Sequence, residues 1–186
     1  MEINRVTLPL DDETILSLKA GETVLLSGRV YTGRDAAHKR MVNAIEKGDS
    51  LPFDLRGESI YYVGPAPARE GQAVGAAGPT TSYRMDAYAP ALLERGLKGM
   101  IGKGDRSESV IEAIKKYRCV YFAAVGGAAA LISKHILSSR VIAYDDLGTE
   151  AVHEFEISDF PAIVAIDCLG NDLYKDGPTR FFVNKA

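Results

Sequence analysis

The apolar positions of the chain follow two different periods. Short runs rich in β-branched and aromatic residues predict strands, and stretches with apolar residues three and four positions apart predict helices. The predicted strands are RVTLPL, ETVLLSGRVYTG, SIYYVG, GMIGKG, CVYFAAV, RVIAYDD, AVHEFEIS and FPAIVAID. The predicted helices are DDETILSL, RDAAHKRMVNAIEKG, TTSYRMDAYAPALLERG, SESVIEAIKKY and GGAAALISKHI, and the tail GNDLYKDGPTRFFVNK is predicted to be rich in turns. Because some strands are apolar throughout and others alternate, we predict one α/β domain with two sheet layers and a layer of helices.

Glycine and proline mark the ends and interruptions of these elements. Gly28, inside a predicted strand, indicates a bulge or the close approach of another backbone segment. Gly48 predicts the end of the second helix, and Pro90 predicts a kink or a break in the third. The segment 65–79 is rich in glycine, alanine and proline, which predicts a long loop, and loops of this length are often functional.

The composition is that of an ordinary globular protein. The chain has 186 residues, of which 46% are hydrophobic and 25% are charged, and its formal net charge is −3. This charge gives no support to general binding of nucleic acid or of membrane surfaces. The longest nearly apolar stretch, Val120–Ile132, is too short to span a bilayer, and the first residues do not resemble a signal peptide. We therefore expect a cytoplasmic protein without nucleic-acid or membrane partners.

The cysteine and histidine residues limit the metal chemistry that this chain can provide. Cys119 and Cys168 lie in or beside apolar runs, so buried free thiols are the expectation and a disulfide is the alternative. Two cysteines cannot supply three cysteine ligands to an iron–sulfur cluster. The histidines, His38, His135 and His153, show no metal-ligand spacing. We expect no metal ligand on this chain.

The segment GPTTSYRMD, residues 78–86, combines hydroxyl groups with an arginine, and we call it the hydroxyl segment. Thr80, Thr81 and Ser82 stand at the predicted start of a helix, and Arg84 lies in its first turn. A helix N-terminus presents free N–H groups and the positive end of the helix dipole, which suits a carboxylate or a phosphate. The alternative is an ordinary helix cap followed by a surface arginine. The spacing alone does not decide between them.

Two further segments place cations beside glycines. In GRVYTGRDAAHKR, Arg34 stands where a strand gives way to a helix, four residues before His38. His38 could orient a neighbour or exchange protons, and the alternative is a partly buried histidine bonded to a carbonyl group. Asp35 and Lys39 are also four residues apart and are expected to form a solvated pair. In GMIGKGDRS, Lys103 between two glycines is either a contact for an anion or a solvent lysine in a turn.

Two arginines, a lysine and a cluster of hydroxyl groups together suit a dicarboxylate ligand. Such a molecule needs a cation for each end, and the fork of an arginine matches a carboxylate with two hydrogen bonds. The segment AAVGGAAAL could also cradle an anion, but it lacks the GxGxxG and Walker patterns, so we favour close packing of a strand on a helix. The chain offers no electrophile or metal ligands to complete the chemistry.

Four segments, in the same order along the chain, resemble one enzyme family. YTGRDAAHKR, GPTTSYRMD, MIGKG and EFEISDFPAIVAIDCLGNDLY are similar to the β subunit of class I, iron–sulfur fumarate hydratases and to the related β subunit of L(+)-tartrate dehydratase. The resemblance runs from about Leu8 to about Phe182. It implies a swivelling β/β/α three-layer domain over residues 1–186. It also implies a partner α subunit that carries a [4Fe–4S] cluster on three cysteines, in a heterotetramer of two α and two β subunits.

The resemblance implies roles for individual residues. Arg34, Arg84 and Lys103 match the substrate-binding cations of the family and would hold the carboxylates of a small dicarboxylate. Thr80 would be the catalytic base, and Thr81 would bond the substrate or orient Thr80. The open iron of the partner's cluster would act as a Lewis acid for the departure or addition of water.

The implied reaction is the reversible hydration of fumarate to (S)-malate. His38 and Asp35 would support the substrate-binding residues from behind. Dehydration of L(+)-tartrate is an alternative, and a non-catalytic module that binds a carboxylate or acts as a scaffold is another. A hydrolase with a threonine nucleophile is the weakest alternative, because only His38 could serve as its base. The chain departs from the family at Gly33 and at Cys168–Leu169, which bears mainly on the partner surface and on sensitivity to oxidation.

Overall fold

The structure is a computed structural model and describes residues 4–124 and 129–181. Its strands are β1 (Asn4–Leu8), β2 (Thr23–Thr32), β3 (Ser59–Tyr61), β4 (Gly99–Gly102), β5 (Val120–Ala124), β6 (Ile136–Ala143) and β7 (Val152–Ile166). Its helices are α1 (Asp12–Ser17), α2 (Asp35–Lys47), α3 (Ala89–Glu94), α4 (Glu108–Tyr117), α5 (Ala129–Ile132) and α6 (Leu173–Phe181). Short 3₁₀ turns cover Ser82–Met85, Ser133–His135 and Asp145–Glu150. The glycine pair of AAVGGAAAL lies outside the described residues.

The strands form one sheet that closes on itself. Their order is β1-β2-β3-β4-β5-β7-β6, and the pairs among β1 to β5 are all parallel. β7 runs antiparallel to β5 and to β6, and it also pairs with β2. The strands β2, β3, β4, β5 and β7 therefore make a closed ring, to which β1 and β6 are each attached by one neighbour.

The predicted strands AVHEFEIS and FPAIVAID are a single strand, β7, of 15 residues. The two patterns join at Asp159, which has a positive φ of 48° and donates its N–H group to the Ser27 hydroxyl at 2.9 Å. At the same level the register with β2 shifts between Leu26 and Gly28. The prediction of two strands was wrong, because a bulge interrupts the alternation of side chains just as a turn does.

Two apolar cores lie on opposite faces of the parallel strands. Inside the ring, side chains such as Tyr61, Phe122 and Phe160 pack with β1, α1 and both halves of β7. On the other face, Tyr62 and Met100 pack with helices α2, α3 and α4. The neighbours Tyr61 and Tyr62 enter different cores, as the two-residue period of extended chain requires. The layers are two walls of sheet and one layer of helices, so the predicted β/β/α arrangement is confirmed.

Two glycines behave as their positions in the sequence predicted. Gly28 has a φ of 115°, and an added Cβ atom would lie 2.4 Å from the Leu8 carbonyl oxygen of β1. This position is therefore both a bulge and a close backbone approach. Gly48 ends α2 in the left-handed conformation, and its N–H group bonds carbonyl groups of the last turn.

The third predicted helix is broken into two pieces. Ser82–Met85 forms a 3₁₀ turn, and Ala89–Glu94 forms α3. Pro90 lies in the first turn of α3, where its missing N–H group is not needed, so the break precedes the proline. The C-terminal segment, predicted to be rich in turns, contains α6, and the Asp172 side chain accepts a hydrogen bond from an N–H group at its start. Gly177 inside α6 conceals the helical pattern.

Cys119 and Cys168 are both free and buried, as predicted. The Cys119 thiol donates to the Leu97 carbonyl at 3.2 Å, and burial raises its pKa to about 12. Such a thiol is protonated at neutral pH, so it is not a ready metal ligand. Among the described helices, none is both long enough and apolar enough to cross a bilayer.

We expect Gly28→Ala to lower the free energy of unfolding by about 3 kcal/mol, because it adds a clash with the Leu8 carbonyl to the strain of a positive φ. Gly48→Ala is the matched control, because Gly48 also has a positive φ but an added Cβ meets nothing within 4 Å. Its expected loss is about 1 kcal/mol. Urea denaturation of both full-length variants measures the difference. Equal losses would show that β1 and β2 separate here without cost.

Candidate active site

The candidate site lies where the parallel strands end. The Gly33 N–H group donates to the Tyr61 carbonyl at 3.1 Å, so β2 and β3 end side by side. Arg34 lies just after β2. Lys103 directly follows β4, which is the neighbour of β3 in the sheet. Ligands of parallel sheets bind outside the carboxyl ends of the strands. The fold therefore brings two of the predicted cations to the edge where a ligand is expected.

The hydroxyl segment lies across this edge. The Thr80 N–H group donates to the Tyr62 carbonyl at 2.6 Å, just beyond β3. Thr81 forms a parallel bridge with Lys103, and the Ser82 N–H group donates to the Lys103 carbonyl at 2.8 Å. Two segments that are distant in sequence thus extend the sheet by a short pairing, which places both threonines beside the lysine.

The hydroxyl groups of Thr80 and Thr81 are free to meet a ligand. Thr80 is half-buried and Thr81 is exposed, and within the described part of the chain neither hydroxyl has a hydrogen-bond partner. Thr81 occupies the N-cap position of the 3₁₀ turn, but its side chain makes no cap bond. The alternative of an ordinary helix cap was therefore wrong. The predicted α-helix at this point was also wrong, because Ser82–Met85 is a 3₁₀ turn of four residues. Binding of an anion by the hydroxyl segment stays a prediction.

The segment Gly102–Ser107, which we call the lysine loop, depends on its glycines. A Cβ atom added to Gly102 would lie 2.0 Å from Ser82 Oγ and 2.8 Å from the Tyr62 ring. Gly104 has a φ of 82°, which L-residues with side chains rarely adopt. The loop holds the exposed side chain of Lys103 at the sheet edge. Among the described residues no carboxylate pairs with this lysine.

Arg84 and Asp35 form an ion pair that joins the hydroxyl segment to the start of α2. Arg84 Nε lies 2.9 Å from Asp35 Oδ1, and Arg84 Nη2 lies 2.8 Å from Oδ2. The predicted pairing of Asp35 with Lys39 was wrong, because the arginine fork from another segment meets both carboxylate oxygens. The side chains of Arg84 and Asp35 are 48% and 32% exposed, so water screens their attraction. A ligand carboxylate can therefore share or replace Asp35.

Arg34 lies at the N-cap of α2 and contacts a carboxylate that the sequence did not identify. Its Nη2 atom is 3.4 Å from Glu150 Oε1, and Glu150 Oε2 accepts a hydrogen bond from the Ala36 N–H group at 3.1 Å. A Cβ atom added to Gly64 would lie 2.9 Å from Arg34 Nη1, so the glycine leaves room for the guanidinium. Glu150 is distant in sequence and belongs to no motif, which is why only the fold identifies it.

His38 is fully buried beneath the site. Its Nδ1 atom lies 2.9 Å from the Arg34 carbonyl oxygen, and because a carbonyl only accepts, Nδ1 carries the proton. Nε2 is buried and has no partner among the described residues. Burial lowers the pKa of His38 to about 4, so the ring is neutral at physiological pH. The structure thus shows the alternative interpretation, a histidine bonded to a carbonyl, and leaves the threonine-hydrolase hypothesis without an accessible base.

The sequence also did not identify the buried polar contacts that Arg106, Asp86 and Tyr121 make at the lysine loop. Arg106 Nε pairs with Asp86 Oδ1 at 2.7 Å, and the Tyr121 hydroxyl lies 2.9 Å from Ser82 Oγ. The position of Arg106 in GMIGKGDRS, close after Lys103, is the one signal that could have drawn attention to it. Its burial depends on contacts with three other segments, so local sequence does not predict it.

We expect the protein to lose stability as the pH falls, because of His38. The folded-state pKa of about 4 lies below the ordinary 6.5, so between these values the unfolded chain binds more protons than the folded chain. The free energy of unfolding should therefore fall by about 2 kcal/mol between about pH 7 and about pH 4.5 from this group. Denaturation of the wild type and of His38→Asn at both pH values measures the contribution. An identical pH dependence in the two proteins would contradict the neutral, buried state of His38.

Comparisons with known proteins match the region that contains these residues. The family model described as fumarase C-terminus covers residues 1–177. The chain is 40% identical over 152 residues to the aerobic class I fumarate hydratase of Escherichia coli K12, an alignment that covers 81% of this chain and 28% of that protein. It is 38% identical over 156 residues to fumarate hydratase 2 of Leishmania major, covering 83% of this chain and 28% of that protein. The chain thus spans about 28% of the length of these fumarate hydratases.

A further relative is of similar length to this chain. The putative L(+)-tartrate dehydratase subunit beta of Methanocaldococcus jannaschii is 35% identical over 173 residues, which cover 90% of this chain and 89% of that protein. The match of the family model includes every candidate residue from Arg34 to Lys103. The chain therefore belongs to the fumarase C-terminus family.

Proposed function

We propose that this chain is the β subunit of a two-subunit hydro-lyase that interconverts fumarate and (S)-malate. The observation that carries the proposal is the convergence of the segments of Arg34, Thr80–Arg84 and Lys103 at one edge of the sheet. Membership of the family supports the activity, and the relative named as subunit beta supports the role as one of two subunits.

The cations of the site would hold the two carboxylates of the substrate. Arg34 and Arg84 each present a planar fork that binds a carboxylate through two hydrogen bonds. Glu150 and Asp35 already orient these forks. Lys103 adds a point charge from the lysine loop. A dicarboxylate would thus be fixed at both ends, with its carbon atoms facing the hydroxyl segment.

Thr80 would transfer the proton in this reaction. In the dehydration of malate, the oxygen of Thr80 takes a proton from the carbon beside one carboxylate, and in hydration it returns that proton. An alcohol is a weak base at neutral pH, so its deprotonated form needs nearby cations and a site closed to water. Thr81 follows Thr80 and forms the bridge with Lys103. Its hydroxyl would bond the substrate or orient Thr80.

The described residues of this chain do not provide a set of ligands that fits an iron–sulfur cluster. Both cysteines are buried, and in residues 4–124 and 129–181 no group of histidine, cysteine and acidic side chains could hold a metal ion. We therefore assign a [4Fe–4S] cluster to a partner α subunit, in a complex of two α and two β chains. The cluster would supply a Lewis acid for the departure or addition of water. The free thiols suit a reducing cytoplasm, where we place the complex.

The exposed part of the site leaves room for such a partner. The exposed residues of the site region include Thr81, Tyr83, Arg84 and Lys103. Tyr83 is 66% exposed although its side chain is largely apolar. Exposed aromatic residues next to charged groups are common at protein interfaces. The partner would face these residues and close the site to water.

Dehydration of L(+)-tartrate is the second candidate function. The observation that favours it is the relative from M. jannaschii, which is named a putative tartrate dehydratase subunit and of which this chain covers 89%. Tartrate is also a dicarboxylate, so the same cations would hold it. We rank fumarate first because the E. coli fumarate hydratase is more similar, at 40% identity.

Anaerobic co-purification tests the proposal. The tagged full chain is isolated from its native cells, and the eluate is assayed for iron, sulfide, fumarate hydration and tartrate dehydration. We expect an iron-containing partner and fumarate turnover. If only tartrate is turned over, tartrate and not fumarate is the substrate. An inactive, iron-free chain without a partner would contradict the proposal and favour a carboxylate-binding module.

We expect Thr80→Ala to reduce kcat of the assembled complex by about 1,000-fold and to change KM little, because the variant loses the base and keeps the cations. Steady-state kinetics of the purified complex measure both constants. Thr14→Ala is the control, because Thr14 lies on α1, outside the candidate site, and its backbone N–H group keeps a hydrogen bond to the helix cap Asp11. This variant should keep full turnover. Near-normal turnover of Thr80→Ala would remove Thr80 from the role of base.

A further inference from the structure

We propose that Arg106 and Tyr121 are positioning residues, which fix the hydroxyl segment and the lysine loop to each other so that Thr81, Arg84 and Lys103 keep one arrangement. The inference rests on the proposed function of these segments. Neither Arg106 nor Tyr121 reaches the surface of the site, so neither contacts the substrate. They act on the residues in front of them.

Arg106 ties together the ends of the two segments. Its side chain is fully buried, and Nε lies 2.7 Å from Oδ1 of Asp86, the last residue of the hydroxyl segment. The second oxygen of Asp86 accepts the Ser107 N–H group at 2.5 Å, at the end of the lysine loop. A single buried carboxylate thus bonds both Arg106 and the residue after it. Because Asp86 directly follows the 3₁₀ turn that carries Arg84, the pair also sets the position of that arginine.

The guanidinium of Arg106 is itself held between aromatic rings. Its central carbon lies 5.4 Å from the Tyr62 ring centre and 5.0 Å from the Tyr121 ring centre. Arginine above an aromatic face is an attractive arrangement that strengthens when water is excluded. Tyr62 precedes the loop to the hydroxyl segment, and Tyr121 lies on β5. Arg106 therefore links the two segments to β5 and to the residue that directly follows β3.

Tyr121 ties together the two segments next to the Thr81–Lys103 bridge. Its hydroxyl donates to the Gly104 carbonyl at 2.7 Å, and since a carbonyl only accepts, the same oxygen accepts from the Ser82 hydroxyl at 2.9 Å. Ser82 and Gly104 are the residues that follow Thr81 and Lys103 on the two paired segments. The bridge is thus fixed from behind, and the side chains of Thr81 and Lys103 stay free.

The location of these contacts argues for positioning and not only for stability. Buried ion pairs contribute little net stability, because desolvation of both charges offsets their attraction. Here the side-chain hydrogen bonds of Asp86 and Tyr121 all go to residues of the hydroxyl segment or the lysine loop. Arg106 bonds Asp86 and, outside the two segments, Tyr62 and Met100. Sites that hold reacting groups in fixed positions lower the entropic cost of reaching the reactive geometry.

Tyr121→Phe tests the proposal with little risk to folding, because the ring that packs on Arg106 remains. In the assembled complex we expect KM to rise about tenfold, the change that about 1.4 kcal/mol of lost binding produces, with a smaller fall in kcat. In the full chain alone, amide hydrogen exchange should accelerate in residues 80–86 and 102–107 and stay unchanged in β2 and β7. Cys119→Ala is the control, because it removes a buried hydrogen bond, to the Leu97 carbonyl, that involves neither the hydroxyl segment nor the lysine loop. It should leave KM and the exchange of both segments unchanged.

Arg106→Lys is the second variant, which keeps the charge but loses the planar contact with both rings. It should also raise KM and accelerate exchange in the same two segments, and Arg29→Lys, in the ion pair with Glu58, is its control. Unchanged KM and exchange in Tyr121→Phe and Arg106→Lys would overturn the proposal. So would a uniform acceleration of exchange across the chain, which would indicate a purely structural role. The turnover of the wild-type complex tests the proposed function separately, and hydrogen exchange tests the positioning contacts even if that turnover fails.

Discussion

The two edges of β7 hold the parallel strands in place. One edge pairs with β2 over most of its length, and the other pairs first with β6 and then with β5. Closing the sheet in this way fixes which strand ends lie side by side, and so where the segments after them meet. The bulge opposite Gly28 and the positive φ of Asp159 let one strand bend enough to serve all three neighbours. The candidate site is thus a consequence of closing the sheet and not of any one segment.

Local sequence predicted the parts of this structure that depend on local periodicity. The strands, most helices, the role of Gly28 and the positions of Arg34 and Lys103 after strands all follow from short patterns. A break in the third helix was predicted at Pro90, but it lies earlier in the chain, because Pro90 is in the first turn of α3, where a proline is tolerated. The ion pair of Arg84 with Asp35 was not predicted either. The four-residue spacing within α2 favours Lys39 as the partner of Asp35, whereas the fold brings Arg84 from another segment.

The site has an exposed front and a buried back, and these two parts were not equally visible in the sequence. Glycine-flanked cations and consecutive hydroxyl groups are unusual enough to stand out, and they form the front. Apart from His38, the back consists of Asp86, Arg106 and Tyr121, which are residue types that occur throughout globular proteins. Only burial and distance show that these residues enclose the site. A resemblance to a family identifies the residues that meet substrate more readily than the residues that hold them.

The carboxylates of Asp35 and Glu150, beside Arg84 and Arg34, reduce the conformational entropy that these arginines lose when a ligand binds. A free arginine side chain has about 2 kcal/mol of rotamer freedom to lose when it is immobilised. Asp35 and Glu150 restrict Arg84 and Arg34 before any ligand arrives. The loss of rotamer freedom therefore occurs largely when the chain folds and not when a dicarboxylate binds. Two acidic residues that carry the same sign of charge as the ligand can in this way favour its binding.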